Sequence, residues 1–182
     1  MLSTSEKQYL LHAARKAIES AVTASPFMMD EPPASLKQLS GAFVTLHQHG
    51  ELRGCIGYID RTKPLIETVT TCAVKAAFDD PRFFPVTSSE LATLEIEISV
   101  LSPLRRIERL EEIEVGVHGL VVESEDHRGL LLPQVAVEHR WDRETFFRHT
   151  LQKAGIYKGD RLIVFVFTAE IFNEESIVET GT

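Results

Sequence analysis

Ala42-Phe43-Val44-Thr45-Leu46-His47-Gln48, then His49-Gly50, then Glu51-Leu52-Arg53-Gly54-Cys55-Ile56-Gly57-Tyr58-Ile59 read as a strand, a turn and a returning strand. Glycine supplies the positive φ that a tight hairpin turn needs, and histidine tolerates it better than most residues. Three glycines in the eight residues 50–57, within a strand pattern, mark backbone that bends or is closely approached. With a two-residue turn and regular pairing, Cys55 falls opposite Val44 and Arg53 opposite Leu46. Cys55, Val44, Leu46 and Arg53 then share one face. A bulge at Gly54 or Gly57 reverses that facing, so the side on which Cys55 lies stays open.

On the N-terminal side, Ser3/Glu6 and Ser5/Gln8 carry capping-box spacing. Leu10, Leu11, Ala14, Ile18, Ala21 and Val22 repeat behind them as one helical stripe. Residues 25–40, with Pro26, Pro32 and Pro33, read as a loop. On the C-terminal side, Pro64 opens a second helix striped by Leu65, Ile66, Val69, Cys72, Ala73, Ala76 and Ala77. Its alanines permit close approach to a sheet, and Asp79-Asp80-Pro81 ends it. Thr87 and Glu90 repeat the capping-box spacing. Leu94, Ile96, Ile98 and Val100 alternate with Glu95, Glu97 and Ser99 as a half-buried strand closed by Pro103.

Val115–Val122 reads as a strand, Glu125–Gly129 as a turn and Leu130–Leu132 as its partner. Asp142 is placed to cap a third helix carrying Phe146, Phe147, Leu151 and Ala154, with Gly155 past its end. Arg161–Thr168 reads as a final strand and residues 173–182 as a polar tail. Helices and hairpin-linked strands in mixed order predict an α+β fold rather than a doubly wound one. We expect a mostly antiparallel sheet with helices packed against it, as two lobes of one compact unit over residues 1–182.

At 182 residues the chain can bury roughly 70% of its unfolded surface, so no disulfide or metal staple is required. A net charge of −8 argues against nucleic acid as the main partner, because that affinity comes from Lys and Arg. Two cysteines, Cys55 and Cys72, do not make a disulfide framework. No stretch has the length of a membrane span, and the N-terminus lacks a signal-peptide pattern. A cytoplasmic protein with reduced thiols is expected.

Cys55 is the candidate nucleophile. A thiol ionises more readily beside positive charge or accessible N–H groups, and Arg53 with the flanking glycines Gly54 and Gly57 offers both. The alternative is an inert strand residue, as Cys72 on its apolar helical stripe is expected to be. Asp80 and Arg82 are candidates for binding a ligand or partner, and equally for bracing their loop. His47 and His49 have His-x-His spacing but no third ligand, so exposed hairpin polarity is expected and no metal site. Glu95 and Glu97 read as a solvated face, and Lys153 as a cation favoured in a last helical turn. No zincin, phosphate-loop or dinucleotide fingerprint is present, so no cofactor is assigned.

The chain resembles the AMMECR family, named for the AMME chromosomal region, over about residues 5–172. The resemblance rests on Gly41–Leu46, Leu52-Arg53-Gly54-Cys55-Ile56-Gly57, Asp80-Pro81-Arg82-Phe83 and Glu97–Pro103. It continues through His118-Gly119-Leu120, Gly129–Ala136 and Lys153-Ala154-Gly155. It implies a two-lobed α+β fold and makes the LRGCIG segment the family's hallmark and its functional site, without supplying a reaction. It also implies MEMO-like and radical SAM proteins as partners, through the association called AmmeMemoRadiSam. Where many members carry a cysteine ahead of Lys-Ala-Gly, this chain has Leu151, and Pro-Pro-Asp-Ala-Trp becomes Tyr157-Lys158-Gly159-Asp160-Arg161. No partner thiol for Cys55 is therefore expected from that helix. Two functions are compatible with these residues: an enzyme or enzyme component using Cys55, and a non-catalytic binding module presenting the hairpin and the Asp80–Phe83 loop.

Overall fold

The computed structural model describes residues 1–157 and 161–178. In chain order the elements are α1 (Thr4–Thr23), β1 (Ala42–Gln48), β2 (Glu51–Tyr58), α2 (Leu65–Phe78), β3 (Leu94–Leu101), β4 (Arg105–Ile107) and β5 (Gly119–Glu123). They continue with β6 (Arg128–Leu131), α3 (Pro133–Glu138), α4 (Arg143–Ala154), β7 (Ile163–Phe167), β8 (Ala169–Asn173) and α5 (Glu174–Val178). The fold is α+β. Its two four-stranded sheets have the orders β2-β1-β3-β8 and β4-β7-β5-β6. The chain divides into one compact unit of Met1–Val100 with the segment from Glu170, and a second of Leu101–Ala169. No helix among the described residues is long and apolar enough to cross a membrane.

In the first unit, Ser3 caps α1 and Glu6 closes the capping box on the Ser3 N–H at 2.6 Å. Leu10, Ala14 and Ile18 of α1 and Val69, Cys72, Ala73 and Ala76 of α2 pack with Val44, Leu46, Ile96 and Ile98 of the sheet. Each large side chain among them contributes about 1.5–3 kcal/mol through burial. Asn173, where the sequence reads as the start of a polar tail, closes β8 and accepts the Ser176 N–H at 2.8 Å to begin α5. Glu174 then forms a two-pronged pair with Arg15, both contacts at 2.6 Å, and accepts the Ile96 N–H at 3.2 Å. This is a helix stapled to α1 and β3 rather than a loose end. Residues 179–182 of the expected tail lie outside the described residues.

In the second unit, Phe146 of α4 is fully buried with Ile107, Ile113, Leu120, Ala136 and Val166. Asp142 caps α4 by accepting the Thr145 N–H at 2.8 Å, and Gly155 ends it with φ 70°. The strand expected from Val115 begins only at Gly119. Gly116 takes φ 85°, and the Val117 and His118 N–H groups fold back onto the Glu114 carbonyl at 3.1 and 2.9 Å, making a turn. The short α3, opened by Pro133 in its first turn, has no periodic stripe in the sequence to announce it. The single tryptophan, Trp141, lies stacked between two imidazoles. The His139 ring is 4.6 Å away and the His149 ring 4.0 Å, at 16° and 10° to the indole.

Candidate functional site

The β1–β2 hairpin turns at His49 (φ 54°) and Gly50 (φ 78°), the paired positive values of a tight turn matched to strand twist. Pairing runs Gln48 with Glu51 and His47 with Leu52, then resumes with Leu46 opposite Gly54. Arg53 is the extra residue of a β-bulge. That one-residue shift reverses the regular-pairing expectation: Cys55 is opposite Thr45, not Val44. Val44 and Leu46 go into the core, with Gly54 and Ile56 on their side, while Cys55, Thr45 and Gly57 take the other face. Cys55 is half-buried.

Each candidate residue has a definite place. The Cys55 N–H, on the edge of the sheet, donates to Asp80 Oδ2 at 2.8 Å. Asp80 is 4% exposed and accepts three further bonds from Arg82: its backbone N–H (3.1 Å), Nε (2.9 Å) and Nη2 (2.7 Å). The Arg82 guanidinium, then burial opposing it, then the two backbone N–H groups leave the Asp80 carboxyl well below its ordinary range. Asp80 in turn raises Arg82, and Cys55 adds to that effect. Because Asp80 Oδ2 takes both the Cys55 N–H and Arg82 Nη2, the guanidinium is held beside the Cys55 backbone. Arg82 also lies over the Phe83 ring at 5.4 Å. Cys55, Asp80 and Arg82 thus form one cluster.

Arg53 makes no hydrogen bond to that cluster among the described residues and shares only the Phe83 ring with Arg82, the Arg53 Cζ lying 6.0 Å from the centroid. The bulge turns it to Glu90, with Nε to Oε1 at 2.8 Å and Nη2 to Oε2 at 3.3 Å, and its side chain is only 14% exposed. Its Nη1 is buried with no hydrogen-bond partner among the described residues. Arg53, followed by the Thr87 backbone and hydroxyl donors, lowers the Glu90 carboxyl to about 2 against the cost of burial. The cation nearest in sequence therefore braces the hairpin, and Arg82, 27 positions beyond Cys55, shares Asp80 with the Cys55 N–H.

The two glycines pack against the protein itself. A Cβ on Gly54 would lie 2.1 Å from the Ala76 carbonyl oxygen, and one on Gly57 would lie 2.2 Å from the Phe43 ring. Cys72 is fully buried, its Sγ 3.7 Å from the Ala42 carbonyl, and burial pushes its thiol up to about 12. His47 pairs with Glu95 across β1–β3, while His49 occupies the turn. No group of three or more His, Cys, Asp or Glu among the described residues is arranged to hold a metal ion.

Two residues that hold the hairpin were not among the sequence's site candidates. Thr45 meets Cys55 Sγ through its hydroxyl at 3.3 Å, and only the bulge brings it there. Glu90 had a visible signal, its capping spacing from Thr87, and the structure shows that bond at 2.8 Å beside the pair with Arg53.

The same architecture is found in the crystal structure of the uncharacterized protein PH0010 from Pyrococcus horikoshii. It superposes with a TM-score of 0.89 at 39% identity, over 96% of this chain and 94% of that one. A protein of Methanothermobacter thermautotrophicus is 42% identical over 186 residues, which span 96% of this chain and 97% of that relative. Protein MK0488 of Methanopyrus kandleri is 39% identical over 188 residues, 96% and 91% of the two chains. The AMMECR1 family model matches residues 11–172, so the chain belongs to the AMMECR1 family.

Proposed function

We propose that the protein is a cytoplasmic enzyme, or a component of an enzyme system, that works through the Cys55 thiolate. One observation carries this reading: a half-buried thiol whose own backbone N–H is held by Asp80, which fixes the Arg82 guanidinium close by. Positive charge near sulfur favours the thiolate, the reactive form. Cys55 serves as nucleophile or carrier without a second thiol from α4, since Leu151 stands there. Arg82, with its side chain 54% exposed, can also receive an anionic group of a substrate. MEMO-like and radical SAM proteins are the partners that the family association puts first, in a modification pathway.

The test is alkylation by iodoacetamide followed by peptide mapping across pH. Cys55 is expected to reach half its plateau rate below the value of about 8.5 typical of a free thiol. Cys72 should stay unlabelled until the chain is unfolded. A Cys55 profile centred at or above about 8.5 overturns the thiolate reading.

A second reading, a binding module without catalysis, is favoured by Phe84. That ring is 90% exposed, directly after the Asp80–Phe83 loop. A Cys55→Ser variant that loses activity but keeps partner binding supports catalysis, and loss of binding alone supports the module.

A further inference from the structure

We infer that Thr45 is the positioning residue of the Cys55 thiol, donating its hydroxyl proton to the sulfur when Cys55 is ionised. The inference rests on the thiolate reading of Cys55 and adds to it the group that holds the sulfur in place. Its basis is the register. The bulge at Arg53 sets Cys55 directly opposite Thr45. Because the Cys55 N–H points away from β1 to Asp80, the Cys55–Thr45 pair is of the non-hydrogen-bonded kind, in which side chains come closest. Oγ1 and Sγ are 3.3 Å apart.

Thr45 is 8% exposed, so its hydroxyl has little water to turn to, and a buried hydroxyl is ordinarily hydrogen-bonded. Glu97 stands opposite Thr45 on the other side, on β3, yet the Thr45 hydroxyl bonds to no second partner among the described residues. Its β-branched side chain has few rotamers open to it on a strand, and the one it adopts brings Oγ1 to 3.3 Å from sulfur. With a neutral thiol, either atom can donate. Once the S–H proton has gone to solvent, sulfur is acceptor only, and the Thr45 O–H becomes a charge-assisted donor to it. No covalent bond forms or breaks at Thr45.

The charged and titratable groups around the pair are Asp80 and Arg82 from the loop after α2, Glu97 on β3, His47 two residues along β1, and Arg53, which is engaged by Glu90. None of these is altered by replacing Thr45.

The experiment is the pH profile of Cys55 alkylation in the full chain for wild type, Thr45→Val and Thr45→Ser. Valine keeps the shape and removes the hydroxyl. Losing one charge-assisted hydrogen bond should weaken ionisation roughly tenfold, moving the midpoint up by about one pH unit. Serine, which restores the hydroxyl, should return the midpoint to within about 0.3 unit of wild type, a rescue that a purely packing role for Thr45 would not show. An unmoved midpoint in Thr45→Val overturns the inference. If wild-type Cys55 itself titrates like a free thiol, the thiolate reading fails. Thr45 is still judged then by whether the valine variant differs from wild type. Should the valine variant lose its fold, Thr45→Ala against Thr45→Ser reads the same hydroxyl.

Discussion

Gly54→Ala should destabilise the first unit by about 3 kcal/mol, the top of the usual range for overpacking, because the added methyl meets backbone that cannot step aside. Its Cβ would sit 2.1 Å from the Ala76 carbonyl oxygen and 3.1 Å from the carbonyl carbon. Relief requires moving α2 away from β2, which opens the core at Val69, Ala73 and Ala76 and breaks the bond from Cys55 to Asp80 at the helix end. In urea the midpoint should fall by more than about 1 M. Gly50→Ala is the control: nothing lies within 4 Å of its Cβ. Only its φ of 78° resists, at a cost of about 1–2 kcal/mol. A Gly54→Ala protein no less stable than Gly50→Ala would show that the close approach of β2 to α2 is not a constraint on the fold.

Asp80→Asn should cost about 2 kcal/mol near neutral pH and should change how the protein responds to acid. The asparagine can still accept the Cys55 N–H, but the charge-assisted bonds from Arg82 are lost, and bonds of that kind contribute about 1.5–3 kcal/mol. Because the Arg82 side chain is 54% exposed, solvent screens the pair, which holds the expected loss toward the lower end. Asp80 and Glu90 are both held below their unfolded values, so the unfolded chain takes up protons first as pH falls. Their contribution is full above the ordinary carboxylate range, about pH 5, and drains away toward pH 2. Urea midpoints measured from pH 7 down to pH 2 should therefore fall less steeply for Asp80→Asn, and the gap from wild type should narrow. A gap that stays constant or widens on acidification would contradict the assignment of Asp80 as the buried anion of the site.

Those two residues also show where the sequence is readable. The hairpin is legible because His49-Gly50 interrupts two strand patterns, and α1 and α4 because Ser3/Glu6 and Asp142/Gly155 mark their ends with local chemistry. The bond between Asp80 and Arg82 spans two residues and could be anticipated. The bond from Cys55 to Asp80 spans 25 and could not. The bulge is the decisive unreadable feature. Gly54 marks a place where a bulge can form, but nothing local in Leu52-Arg53-Gly54 decides between regular pairing and a shift of one. The shift accompanies two tertiary fits, that of Gly54 against Ala76 and that of Asp80 at the Cys55 N–H. Facing, and with it the identity of the cysteine's neighbours, depends on that single residue. Period-two reasoning thus names the strand correctly but leaves its faces open, and only the regular-pairing alternative is reversed by the bulge. Thr45 stayed hidden for the same reason, and Arg53 looked like the cation for sulfur because it is near in sequence.

The indole stacked between His139 and His149 gives the two units separate optical signatures. Trp141 is the only tryptophan, and it belongs wholly to the second unit. Its emission therefore reports melting of that unit alone, whereas far-ultraviolet circular dichroism is dominated by α1 and α2 of the first. Coincident transitions by the two signals would mean that the chain unfolds as one cooperative body, and separated transitions that each sheet melts on its own.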